Sequence, residues 1–346
     1  MADFKPFLDD FGFLPHEKGL EPVRNSMDSV VTSRIVSHLK TKLDSPKKSE
    51  KLAAAWELAQ LKDKRLWPIL KKNLFEETDF EIVNELLSAF LNNTNREGPE
   101  LLAKFILQEK RFKLRKKAIW VLSHYDNSKT TFSVLKQLAL SDANSKVRKE
   151  AVAALSEIKS KETSRVLSDV LLSDEEAGVR QMAVWALGRI RMDYAPVLRA
   201  LEEDTDADVR REAAWILGRN NADEGLEKLL SALKRESNQK VLEVVLWSIA
   251  KIDAESLNEA DFVLEEDEYK DRVKAEYIWL LGRYNQKKQI KKIARIYLGL
   301  SLEIKRALIW AMSQTDLVGK QTYLRDWYKK EKNKDLKDKI LWSIDN

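Results

Sequence analysis

Trp185 is followed four residues later by Arg189, Trp215 by Arg219, Trp279 by Arg283 and Trp247 by Lys251. On a helix, residues four apart share a face, so each cationic head can lie on the preceding indole. A guanidinium over an indole gains ~0.5–2 kcal/mol, depending on desolvation. This is the chemistry of binding, because Trp and Arg are the typical anchors of interface hot spots. Residues for bond-making chemistry are scarce. His16, His38 and His124 stand apart from one another, and with no cysteine in the chain they cannot build a zinc site of a common type. There is no phosphate loop, glycine-rich nucleotide fingerprint or serine-centred elbow. The tripeptide DFG at 10–12 has no companion kinase motif. The sequence therefore reads as non-enzymatic, with no cofactor.

The elements that must position these side chains recur. VRQMAVWALGRI (179–190) is followed by VRREAAWILGRN (209–220), and later by VKAEYIWLLGRY and IKRALIWAMSQT. Alignment on the tryptophan gives Trp56, Ser88, Trp120, Ala153, Trp185, Trp215, Trp247, Trp279, Trp310 and Trp342, with steps of 30 to 33 residues. Such a period is the signature of a solenoid. An apolar helix precedes each of these, as in TSRVLSDVLL (163–172) and GLEKLLSALK (225–234). An acidic turn joins the two, as in Asp174-Glu175-Glu176 and Asp204-Thr205-Asp206. Carboxylates there favour the start of the second helix. One hairpin cannot bury its apolar faces alone, so its neighbours supply the core. The expected fold is all-α, an α-solenoid of about ten helical hairpins over 29–346.

The string of acidic turn, Val-Arg, small residues and Ala-Leu-Gly resembles the HEAT repeat, in its short bilin-lyase-like form. It is clearest at 147–158, 179–190 and 209–220, weakens towards 82–93 and 336–346, and covers about 29–346. HEAT arrays serve many unrelated tasks, so the resemblance implies a superhelical fold more than a function. It also implies that the second helix of each pair lines a concave surface. HEAT-type di-iron hydroxylases carry repeated His-Glu pairs; only His16-Glu17 occurs here, outside the repeats.

At ~100° per residue from Val209, the residues Ala213, Ile216, Leu217 and Asn220 form the core stripe. Ala214 and Gly218 lie at roughly 140° and 180°, where small size permits close approach of a neighbour. Arg211, Glu212, Trp215 and Arg219 take the remaining arc, roughly 200–300°. By the resemblance, this arc projects into the groove. Eight of the ten tryptophans share this register; Trp67 and Trp327 lie on first helices and read as packing residues. The candidate partner-binding residues are Trp185, Arg189, Arg211, Glu212, Trp215, Arg219, Trp247, Lys251, Trp279, Arg283 and Trp310. The indoles could equally cover the seams between repeats. Arg115, Arg148, Arg180, Arg210, Lys274 and Lys305, near the acidic turns, are expected to form ion pairs within and between repeats.

The composition agrees: 44% apolar and 34% charged residues, with only 10 Gly and 7 Pro, favour a helical chain. The net charge of +5 is diluted, but 104–117 and 286–295 are basic blocks and 259–268 an acidic one, read as solvated faces. Residues 1–28 lie outside the repeats, and Phe4, Phe7, Phe11 and Phe13 suggest a cap for the first repeat or a docking segment. No apolar run approaches the ~20 residues that span a bilayer. The opening MADFKPFLDD lacks a signal pattern, so a cytoplasmic protein is expected. The expected partner is a protein or peptide in the groove. Repeats spaced ~10 Å apart would meet about every third residue of an extended chain advancing ~3.3 Å per residue. The rival is nucleic acid, with bases on indoles and phosphates on the basic blocks, as in DNA glycosylases of HEAT-like fold. A bilin-lyase-like subunit is the third reading.

Overall fold

The computed structural model describes residues 33–125, 129–265 and 269–345. Residues 1–28, with the cap or docking role expected of them, lie outside this range. The chain forms two compact units, Met1–Asn95 and Arg96–Asn346. Among the described residues all regular structure is helical, and the fold is an all-α solenoid of successive hairpins.

The first unit contains α1 (Ser33–Leu43), α2 (Lys48–Gln60), α3 (Trp67–Glu76) and α4 (Phe80–Asn92). Asp79 caps α4 by accepting from the Glu81 and Ile82 amides, which satisfies donors a helix start leaves open. Trp67 is buried edge-on against Phe90, with ring centroids 5.3 Å apart.

The second unit runs through α5 (Gly98–Gln108), α6 (Phe112–Leu122), α7 (Lys129–Ser141), α8 (Ser145–Leu155), α9 (Lys161–Ser173) and α10 (Ala177–Ile190). It continues with α11 (Ala195–Glu203), α12 (Ala207–Asn220), α13 (Leu226–Arg235), α14 (Gln239–Ile252) and the short α15 (Phe262–Glu265). It ends with α16 (Asp271–Arg283), α17 (Lys287–Ala294), α18 (Leu302–Gln314), α19 (Lys320–Lys330) and α20 (Lys334–Asp345). Second helices stack on one another in order, α6 on α8 and so on to α18 on α20, while α5, α7, α9, α11 and α13 form a first-helix layer. The core lies between these layers. Val209, Ala213 and Leu217 are fully buried, as the α12 stripe requires.

Small residues set the spacing between second helices. A Cβ on Gly218 would lie 2.7 Å from Ser248 Cα, and one on Gly282 would lie 2.6 Å from Ala311 Cα. Ser248 uses this proximity to donate its hydroxyl to the Ala214 carbonyl at 2.7 Å.

A ladder of ion pairs runs beside this packing. Arg115 meets Asp142, Arg148 meets Asp174, Arg180 meets Asp204 and Arg210 meets Glu236, each partner being in the next hairpin. The contacts are two-pronged, as with Arg148 Nε to Asp174 Oδ2 at 2.7 Å and Nη2 to Oδ1 at 2.9 Å. The remaining nitrogen of Arg148 donates to the Asp142 carbonyl of its own turn at 2.9 Å. Asp174 in turn accepts the Glu176 amide at 2.9 Å, just before α10. Lys305 and Glu331 repeat the pairing at 3.0 Å. Lys274 departs from the pattern among the described residues, where its Nζ reaches the Leu264 carbonyl at 3.5 Å.

Two stability effects follow. Arg148→Ala strands the buried Asp174 carboxylate and should cost about 3–5 kcal/mol, read as a lower urea midpoint. Gly218→Ala overpacks the α12–α14 seam and should cost about 1–3 kcal/mol in the same measurement.

Candidate functional site

The second helices of the central repeats bring the candidate indoles into a row. Trp185, Trp215, Trp247, Trp279 and Trp310 are each half-buried, one per helix from α10 to α18. The spacing of four residues works as expected at three of them. The guanidinium carbon lies 5.5 Å from the ring centre for Arg189 over Trp185, 4.8 Å for Arg219 over Trp215 and 5.3 Å for Arg283 over Trp279. Lys251 is exposed on the turn after Trp247. Trp279 and Trp310 stack across neighbouring repeats, with centroids 5.1 Å apart and planes 16° from parallel. Trp120 extends the row towards α6, with Lys117 4.3 Å over its ring and His124 edge-on at 4.7 Å.

The indoles thus do two things. Part of the Trp310 ring closes a seam, lying 3.2 Å from where a Cβ on Gly282 would be. Part of each indole remains open, next to a guanidinium at Trp185, Trp215 and Trp279. Arg189 also holds Glu157 of the preceding hairpin at 2.7 Å, which fixes the guanidinium in place.

Two candidates sit deeper than expected. Glu212, assigned by the helical wheel to the open arc, is buried, with 3% of its surface exposed. Its position is only ~60° from Val209, so the seam with α10 covers it. Arg211 is also largely covered and pairs with Asp208 of its own first turn at 2.8 Å. Burial pushes the Glu212 carboxyl up to about 7, against the hydrogen bond from Gln181 and the charges of Arg211 and Arg219. Among the described residues its Oε2 has no hydrogen-bond partner.

Glu276, three residues before Trp279, is its counterpart on α16. Burial, reinforced by the charge of Glu243, raises its carboxyl to about 7, with Arg272 acting the other way. Arg272 is held by Glu243 at 2.7 Å. Gln181 and Glu243 were not recognised from sequence: their contacts lie in the neighbouring repeat, and nothing in their own helix marks them. Glu150, at the same position on α8, is paired instead with Lys116 at 3.3 Å.

The arrangement offers flat apolar faces, fixed cations and buried acids in one strip. Among the described residues no cluster of His, Asp and Glu suited to a metal ion occurs.

Residues 99–188, 164–250 and 194–266 match the family model of HEAT repeats. With the stacked hairpins, this identifies residues 99–266 as HEAT repeats. Solved structures of Kap95 show the same fold. Kap95 in its complex with Nup1 aligns at a TM-score of 0.58 and 14% identity, over 90% of this chain and 52% of that one. Kap95p in a structure with RanGDP aligns at a TM-score of 0.60 and 13% identity, over 90% and 51%. The chain therefore spans about half the length of these proteins. The CpcE–CpcF complex of phycocyanin lyase from Nostoc sp. PCC7120 aligns at 0.38 and 16% identity, over 64% of this chain and 96% of that one. No curated protein matches the sequence significantly. Among the described residues no helix is long and apolar enough to cross a membrane.

The two raised carboxyls make stability pH-dependent. Each binds a proton in the folded state from its unfolded pKa of ~4.3 up to about 7. Stability contributed by this proton uptake is present below that window and is lost as pH rises through it. Glu212→Gln with Glu276→Gln should flatten the fall between pH 5 and 8, by on the order of 3 kcal/mol per group at most, measured by urea denaturation at both pH values.

Proposed function

We propose that this protein is a non-enzymatic scaffold that holds an extended segment or a helix of a protein partner along the indole row of α10 to α18. The observation that carries the reading is the row itself, five consecutive second helices with a half-buried Trp in one register. Three of those indoles have a guanidinium over the ring. Indoles whose outer parts remain open and whose cations are already positioned cost little to order on binding. The HEAT fold is suited to such a task, and the two Kap95 structures named above are of complexes with protein partners, Nup1 and RanGDP. The exposed Arg189, Arg219 and Arg283 favour acidic or carbonyl-rich segments, and the groove expected from the family resemblance would be formed by these second helices. A cytoplasmic location remains part of this proposal.

The test is affinity capture from native lysate, with and without nuclease, read by mass spectrometry. The variant Arg189→Glu/Arg219→Glu/Arg283→Glu replaces exposed side chains, and should leave the fold intact while reversing the charge beside the indoles. Defined proteins should survive nuclease with the wild type and be lost with this variant. Trp215→Ala/Trp247→Ala should weaken binding of a captured partner by roughly thirtyfold or more, the hot-spot scale of ~2 kcal/mol. Its melting temperature should also fall, because the rings are half-buried. Retention of nucleic acid, with every protein lost after nuclease, would replace this reading by the nucleic-acid one.

A further inference from the structure

The turn joining α17 to α18 breaks the rule of its neighbours. Elsewhere in the second unit the residue that follows the first helix is acidic, as at Glu109, Asp142, Asp174, Asp204, Glu236 and Glu331. Here the chain reads Arg295-Ile296-Tyr297-Leu298-Gly299-Leu300-Ser301, without a carboxylate.

Tyr297 clamps this turn. It is 1% exposed, stacks on Trp327 at 4.2 Å and 10°, and donates its hydroxyl to Glu331 at 3.0 Å. The residues around it face outwards: Ile296 is 56% exposed, Leu298 52% and Leu302 43%. A Cβ on Gly299 would meet nothing within 4 Å. The turn is therefore a held projection with aliphatic flanks.

The helix before it supplies charge. α17 buries Gln289, Ile290, Ile293 and Ala294, and leaves Lys288, Lys291, Lys292 and Arg295 exposed. Lys292 is taken up by Asp261 and Glu265. Lys288, Lys291 and Arg295 have no carboxylate partner among the described residues. They share one helix face, three and four residues apart, which leads directly into Ile296.

We propose that this edge docks on an anionic lipid bilayer surface, with Ile296, Leu298 and Leu302 entering the headgroup boundary and Lys288, Lys291 and Arg295 meeting the acidic headgroups. The shape favours a bilayer over an acidic protein. Aliphatic side chains on a projection need a deformable apolar phase, and long basic side chains can keep their heads at its charged rim. The indole at this turn, Trp327, is buried beneath Tyr297, in contrast to the half-open indoles of the row on the second helices.

The test is co-sedimentation of the full chain with phosphatidylcholine vesicles, plain or containing roughly a third phosphatidylserine. Binding is expected only with phosphatidylserine and should weaken as salt rises. Lys288→Gln/Lys291→Gln/Arg295→Gln should reduce it roughly a hundredfold, at about fivefold per charge. Ile296→Ser/Leu298→Ser should reduce it about tenfold or more. All five side chains are exposed, so both variants should keep the wild-type circular dichroism and melting curve. Trp215→Ala/Trp247→Ala should still sediment, which separates this surface from the indole row. The proposal is overturned if the wild type ignores phosphatidylserine, if neither edge variant weakens binding, or if only the tryptophan variant does.

Discussion

The two-pronged pair between an arginine at the start of one second helix and the carboxylate of the following turn holds the second unit together. In each full rung a single guanidinium ties the carbonyl of its own turn to the acid of the next hairpin. The same carboxylate also accepts an amide two residues on, at the start of the helix that follows. Orientation between repeats and helix initiation are therefore solved by the same atoms. Charges buried this far are costly unless they are paired and hydrogen-bonded, and each of these guanidiniums is both. Apolar packing alone would let stacked helices slide; fixed rungs, with glycine and alanine contacts beside them, specify one spacing.

That spacing places the indoles. Because successive second helices approach closely at Gly218 and Gly282, side chains one position around the helix are forced into the seam or left at its lip. Trp at the lip does both, with one part of the ring packed and one part open. Packing at the seam and an open face are thus combined in the same residues. Over Trp185 the arginine is held in turn, by Glu157. Glu212 and Glu276 fall on the seam side of the same position, where burial raises their carboxyls.

Regularity fails between α14 and α18. Among the described residues Lys274 makes no carboxylate rung, and the α17–α18 turn exchanges its acid for a clamped tyrosine with aliphatic neighbours. A stacked repeat contacts mainly its neighbours, so such a local change can add a surface without disturbing distant hairpins. The buried ring of Tyr297 on Trp327, with its hydroxyl on Glu331, takes over the support an acid gives elsewhere.

Much of this was legible in the residues. The recurrence of Val-Arg and Trp at 30 to 33 residues determined a stack of helical hairpins, because a helix period and a repeat period are both local properties of the chain. The ion pairing of Arg148 or Arg210, and the close approach at Gly218, were legible for the same reason: identical neighbours make a contact in one repeat predict that in the next. The i,i+4 cation–indole pairs needed only one helix. What sequence could not decide were contacts between non-identical positions of adjacent repeats. Glu212 lies ~60° from Val209, and whether that is surface or seam depends on how closely α10 approaches. The facing of Glu276 and Glu243, and the clamp on Tyr297, likewise depend on which side chain the neighbouring hairpin presents. Burial of a charge is a property of the space between helices, and only the tertiary structure defines that space.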